Sequence, residues 1–332
     1  MDCIELPSVF ERDLDQMDQI ILFIQQLLNG ISLGSIYALI ALGYTMVYGV
    51  LRFINFAHGD VYMLGAFSGF MIAPAVSRLI PLDKFQEFTP GNAMLIIAGA
   101  SLVMAVSMLI CAVTGVLIER IAYRPLRERP RLTVLITAIG VSLFIQNMTQ
   151  FFFGPQPRAF PQLIPVEAVP GLGDLTVLTT QAAIILSTIV LLIVLHLIVT
   201  RTKMGLAMRA LSVNPTACSL MGVNNDVVIS FTFALGSALA AAAGILVSMD
   251  SPSITPMMGN LPGIKAFVAA VLGGIGNIPG AAIGGLIIGV LETLVVGYLR
   301  PEMRDAIAFA VLIVILLFKP TGILGGIERE KV

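Results

Sequence analysis

The stretch from Ile264 to Leu299 reads IKAFVAAVLGGIGNIPGAAIGGLIIGVLETLVVGYL. Lys265 and Glu292 are its only charges. As one helix, rising about 1.5 Å per residue, it would reach about 54 Å, well past the ~30 Å of a hydrocarbon core. Gly273-Gly274-Ile275-Gly276-Asn277-Ile278-Pro279-Gly280 breaks it, so the stretch predicts two membrane segments meeting at an interruption. Backbone freed by such a break must be covered by protein or line a cavity.

The rest of the chain is built the same way. Apolar residues make up 57% of its 332 residues and charged residues 12%, about half the share of a soluble protein. Mean hydropathy is +0.96. Too few polar groups exist to cover a soluble surface, so most of the apolar surface faces lipid. The net charge of -1 and the lack of a basic tract argue against a nucleic-acid partner. Cys3, Cys111 and Cys218 match neither a disulfide framework nor a metal site. Six acids and only Arg12 as a base precede Gln19, which is no signal peptide.

Apolar runs at Ile20–Val50, Phe56–Ile80, Ala93–Ile118, Leu132–Phe153, Gln181–Thr200, Val227–Met249 and Ala306–Phe318 complete the candidate spans. Ile20–Val50 is also too long for one crossing, and Asn29-Gly30 predicts an interruption there. The expected fold class is all-α: a polytopic membrane helix bundle of about 8–9 spans with broken or re-entrant segments. Small residues at four-residue spacing, as in Gly30/Gly34 and Gly285/Gly289, suit close helix packing in lipid. Arg120, Arg124, Arg127, Arg129 and Arg131 fill one loop; Arg201, Lys203 and Arg209 fill another. The positive-inside rule makes both loops cytoplasmic. Counting outward puts the Pro- and Gly-rich segment after Gly154 outside, 251–263 outside and the C-terminus inside.

Polar residues at membrane depth are costly and point to function. Asn55, His58 and Asp60 lie between two apolar runs; they either line a pathway or form a cytoplasmic turn in which Asn55 or Asp60 caps the next helix. Lys265 either snorkels at the outer face or guards a cavity entrance. Gly276 and Asn277 sit in the break, where exposed backbone suits a zwitterionic substrate. Glu292 either lines the pathway or has a structural partner. In the second basic loop, 201–226, Pro215 to Met221 predicts a short helix. Asn214 would be its N-cap and Gly222 its stop, with Arg209 ahead of it. Such a helix suits docking on a soluble partner. No phosphate loop, His-Glu-x-x-His or Gly-x-Ser-x-Gly occurs, so the chain is not expected to be an enzyme or to need a metal or cofactor.

Several stretches resemble one family. They are GSIYALIALGYTMVYG from Gly34, INFAHG from Ile54, ERIAYRP from Glu119, KAFVAAVLGGIGNIPG from Lys265 and KPTGILG from Lys319. Together they resemble the permease subunit of bacterial ABC importers for branched-chain amino acids, of the LivH type. The resemblance runs from about Gln25 to Gly325. It implies a second homologous permease subunit, two cytoplasmic ABC ATPase subunits and a periplasmic substrate-binding protein as partners, in the inner membrane. The loop around Ala217, Cys218 and Gly222 looks like the Glu-Ala-Ala-x-x-x-Gly coupling motif of importer permeases, with Thr216 in place of the glutamate. Arg209, Asn214, Ala217, Cys218 and Gly222 are then the expected ATPase-coupling residues. The implied organisation is an acidic N-terminal extension over 1–19, a transmembrane permease domain over 20–325 and a cytoplasmic tail over 326–332. Permeases for urea and short amides look similar, so an importer of that type is the alternative. A stand-alone channel or ion-coupled carrier is a more distant one, since it would need no coupling loop.

Overall fold

The structure, a computed structural model, describes residues 9–80, 88–89, 91–127, 129–169, 175–319 and 321–325. Residues 1–8 of the acidic extension, Cys3 among them, and the tail from 326 lie outside the described residues. Eleven α-helices occur among them: α1 Val9–Leu51, α2 His58–Leu79, α3 Ala93–Ile118, α4 Arg131–Phe153, α5 Thr179–Arg201, α6 Lys203–Val213, α7 Pro215–Leu220, α8 Asn225–Asp250, α9 Asn260–Gly273, α10 Ile278–Tyr298 and α11 Arg304–Phe318. Strands β1 (Arg158–Ala159) and β2 (Ser253–Ile254) form one short antiparallel pair.

Among the described residues seven helices are long and apolar enough to cross a membrane: α1 from Gln19, α2, α3, α4, α5, α8 and α10. This corrects the expectation of eight to nine. The difference lies in α9, with 14 residues, and α11, with 15. At 1.5 Å per residue each reaches only about 21–23 Å, short of a hydrocarbon core.

A second correction concerns α1. It runs through Asn29-Gly30 without interruption. Gly30 is there for contact: a Cβ on it would meet Thr293 and Val290 of α10. Gly34 faces Leu286, and Gly285 faces Ala38. With no hydrophobic effect between helices in lipid, such backbone approach is what draws α1 onto α10. The span of α1 is almost wholly buried, while α3, α4 and α5 turn most of their surface outward.

The break in the opening stretch lies where the glycines put it. α9 ends at Gly273, and Gly274 and Gly276 turn the chain at φ +103° and +93°, values that suit glycine. Asn277 then caps α10, its Oδ1 accepting from Gly280 N at 3.1 Å. The C-terminal segment closes this turn: Ile323 N donates to Leu272 O at 2.8 Å, and Asn277 Nδ2 to Leu324 O at 2.8 Å. Gly276 lies beside Gly49 at the end of α1. Arg52, next along, donates to Ser212 O at 3.4 Å. The C-terminal segment therefore shares a face with the basic loop 201–226. At the other end of α1, Gln25 Nε2 donates to Thr176 O at 2.8 Å, sharing a face with the α4–α5 connection.

α2 and α9 begin inside the bundle instead of at a face. A Cβ on Gly59 would meet Gly259 and Gly263. The imidazole of His58 occupies the space above Gly43 of α1, which packs on Gly236 near the middle of α8. Irregular chain at 52–57 precedes α2, and it is tolerated at that depth because protein surrounds it.

Candidate functional site

Where α2, α4 and α9 converge there is a cavity of about 250 Å³. Asp60, in the first turn of α2, lines it beside Ser142 and Gln146 of α4 and Asn260 of α9. Gln146 Nε2 donates to Asp60 Oδ1 and to Asn260 Oδ1, each at 2.8 Å. Tyr44, Phe56, Ile139, Leu143 and Ile264 supply apolar walls. The lining residues of α4 lie in the middle third of that span, so the cavity sits well inside the membrane region. Neither Asn55 nor Asp60 caps α2; Ala57 holds the N-cap position with no side-chain cap bond. The capping reading is thus corrected. Asn55 is buried and accepts from the Tyr123 hydroxyl at 2.6 Å. His58 is buried against Tyr44, ring centroids 4.7 Å apart, and does not line the cavity.

Lys265 and Glu292 meet each other elsewhere. Lys265 Nζ lies 2.8 Å from Glu292 Oε1 and 2.6 Å from Asp305 Oδ1. Glu292 also takes Arg304 Nε at 2.9 Å and the Tyr37 hydroxyl at 3.0 Å. Both Lys265 and Glu292 are buried. This corrects the reading of Lys265 as a snorkelling side chain, and it gives Glu292 structural partners. A buried charge stripped of water is held only by such partners. The network ties α1, α9, α10 and α11 together. Gly276 and Asn277 belong to the turn below α9, away from the cavity lining.

On the face of the basic loops, α7 forms as its sequence suggests, over Pro215–Leu220. Asn214 Oδ1 accepts from Ala217 N at 3.0 Å, and Gly222 leaves the helix at φ +82°. Cys218 turns inward and is buried, while Leu220 and Met221 are 84% and 83% exposed. Arg209 is exposed and reaches Thr200 O at 3.4 Å. Asn225 Nδ2 donates back to Pro215 O at 3.0 Å, fastening α7 to the start of α8.

A line of polar contacts continues from there. Asp226 pairs with Arg124 and, at 2.6 Å, with Arg127. Arg127 also pairs with Glu119, which accepts from Ser230 Oγ at 2.6 Å. Glu119 opens a π-helical turn, Glu119–Tyr123, below α3. Its last residue, Tyr123, is the one bonded to Asn55, and Asn55 O accepts from His58 N at 3.1 Å. The contacts thus run from α7 to the first turn of α2, where Asp60 lies.

The sequence profile of the family described as the branched-chain amino acid transport system permease component matches residues 26–316. The chain belongs to this family. It is 45% identical over 318 residues to the high-affinity branched-chain amino acid transport system permease protein LivH of Escherichia coli strain K12, covering 95% of this chain and 99% of that protein. It is 44% identical over 318 residues to LivH of Salmonella typhimurium, with the same coverage. The high-affinity branched-chain amino acid transport system permease protein BraD of Pseudomonas aeruginosa is 42% identical over 319 residues, covering 95% of this chain and all of BraD.

In this permease, Asp60 is a candidate from the sequence and lines the cavity, whereas its partners were not among the candidates. Gln146 and Asn260 were readable only as polar residues in or beside apolar runs. Gln146 within Leu132–Phe153 was the available signal. Glu119, Arg127 and Asp226 read as ordinary loop charges, because nothing local says that Asp226 will pair with Arg127, 99 positions away.

Proposed function

We propose that the chain is a transmembrane permease subunit of an ATP-driven importer, moving branched-chain amino acids across the cytoplasmic membrane. It is a transport subunit and no enzyme; ATP is hydrolysed by partner subunits. The observation that carries this reading is similarity of 42–45% over nearly the full length of relatives described as branched-chain amino acid permeases. The apolar walls of the cavity suit a hydrophobic side chain better than urea. The partners are two cytoplasmic ATPases, a second homologous permease and a periplasmic binding protein. The basic loops and the C-terminal segment face the cytoplasm, and α1 enters from outside.

α7 is the element that meets an ATPase. Leu220 and Met221 project from it beyond the spans, and exposed apolar side chains there need a partner. Arg209, Asn214, Ala217, Cys218 and Gly222 shape that contact, with Asn214 and Gly222 setting the ends of the helix and Cys218 seating it. When the ATPases close, α7 moves. The Asp226–Arg127–Glu119–Tyr123–Asn55 contacts pass the displacement to α2 and change access to the cavity.

The test is isolation of the tagged chain from native membranes in mild detergent, followed by uptake in vesicles. Two ATPase polypeptides and a second permease should accompany it, and leucine uptake should require ATP and the binding protein. A chain recovered alone, fully folded and in full yield, would return the weight to a channel or carrier. ATP-driven uptake of urea but not leucine would replace the substrate.

A further inference from the structure

Among the described residues three carboxylates are buried: Asp60, Glu119 and Glu292. Two of them hold cations. Glu119 pairs with Arg127, and Glu292 with Lys265 and Arg304. Asp60 makes no ion pair with any described residue; its hydrogen-bond partners are neutral, the amide of Gln146 and the hydroxyl of Ser142. It alone of the three lines the large cavity. An ionised carboxylate buried with neutral partners only is poorly compensated. A cation would compensate it, and the cavity beside the carboxylate, about 250 Å³, is large enough for a small organic one.

The walls define that cation further. Gln146 Nε2 is held by three acceptors, Asp60 Oδ1, Asn260 Oδ1 and, at 3.2 Å, Ser142 Oγ, so its amide protons are already used. A carboxylate accepts only, about four bonds in all, so Asp60 keeps acceptor capacity beyond the bond from Gln146, which suits a group with several N–H donors. Phe56, Leu143 and Ile264 line the same cavity with apolar surface. We propose that Asp60, with Gln146 and Asn260, forms a subsite that takes the α-ammonium of the amino acid in transit, while its aliphatic side chain lies on the apolar wall. The subsite rests on the importer reading above. Asp60 acts by direct contact with substrate, Gln146 by holding the carboxylate toward the cavity.

The test uses the assembled importer in vesicles, with ATP, binding protein and radiolabelled leucine. Wild-type uptake checks the importer reading itself; its absence would sink that reading before any variant is considered. With wild-type uptake in hand, Asp60→Asn should lower uptake at least tenfold while binding-protein-stimulated ATP hydrolysis stays within twofold. Asp60→Glu should restore most of the uptake. Gln146→Lys supplies an ammonium covalently beside the carboxylate. It should assemble normally, keep stimulated ATP hydrolysis and lose uptake at least tenfold, which covers the case in which Asp60→Asn does not fold. Leucine uptake near the wild-type rate in either Asp60→Asn or Gln146→Lys would overturn the subsite and leave the importer reading standing.

Discussion

At the scale of single residues, the membrane interior sorts its charges by whether they have partners. Glu292 meets Lys265, Arg304 and Tyr37 at 2.8–3.0 Å. Removing one member leaves a buried charge uncompensated, and that loss is worth ~3–5 kcal/mol. Glu292→Ala is therefore expected to lower the thermal unfolding temperature of the purified permease strongly. Asp305→Asn, at the half-exposed edge of the same network, should cost about 1 kcal/mol or less. Similar melting shifts for the two variants would mean that burial does not govern the network. Gly222 is a second position decided locally. Its φ of +82° is strained for any residue with a Cβ and closed to proline.

At the scale of elements, two short pieces carry the mechanical reading. α7 is only six residues long and depends on its ends. Gly222→Pro breaks one end, and Arg209→Glu reverses a charge beside it. Each is expected to reduce leucine uptake about tenfold at normal expression, with ATPase subunits losing contact or hydrolysing ATP unproductively; unchanged uptake in both would remove α7 from the coupling role. Arg127→Ala addresses the next link. It separates Asp226 from Glu119 without touching α7 or the cavity. The expected phenotype is retained ATP hydrolysis with uptake down about tenfold. If hydrolysis and uptake fall together in proportion, Arg127 serves assembly and not transmission. α9 and α2 matter for a different reason: both begin inside the bundle, and this brings Asn260 and Asp60 to one cavity.

At the scale of the whole molecule, the contacts assign faces. Gln25 with Thr176 marks one side; Arg52 with Ser212, and Asn277 with Leu324, mark the other. A cysteine replacing Ser251 should react with a membrane-impermeant maleimide added outside intact cells. A cysteine replacing Leu220 should react only after the membrane is opened. The reverse pattern would invert the proposed orientation. Exposed apolar surface on α3, α4 and α5 fits lipid contact on that flank.

Membrane residence, most spans, the break before Ile278 and the short helix after Asn214 were legible in the sequence. Each depends on local properties: run length, hydropathy, the φ freedom of glycine and the capping chemistry of asparagine. The continuous α1 was not, because Asn29-Gly30 reads locally as a break and becomes a contact only once α10 lies against it. The count of full crossings was missed for a related reason. α9 and α11 belong to apolar stretches, but the point where each helix starts is set by the packing around it. The pairing of polar groups was decided by tertiary structure alone. Asp60 meets Gln146 across 86 positions, and Tyr37 meets Glu292 across 255. Composition and periodicity determine which segments leave water. Only the packed bundle decides which buried charge faces another charge and which, like Asp60, faces a cavity, because that choice depends on neighbours distant in the chain.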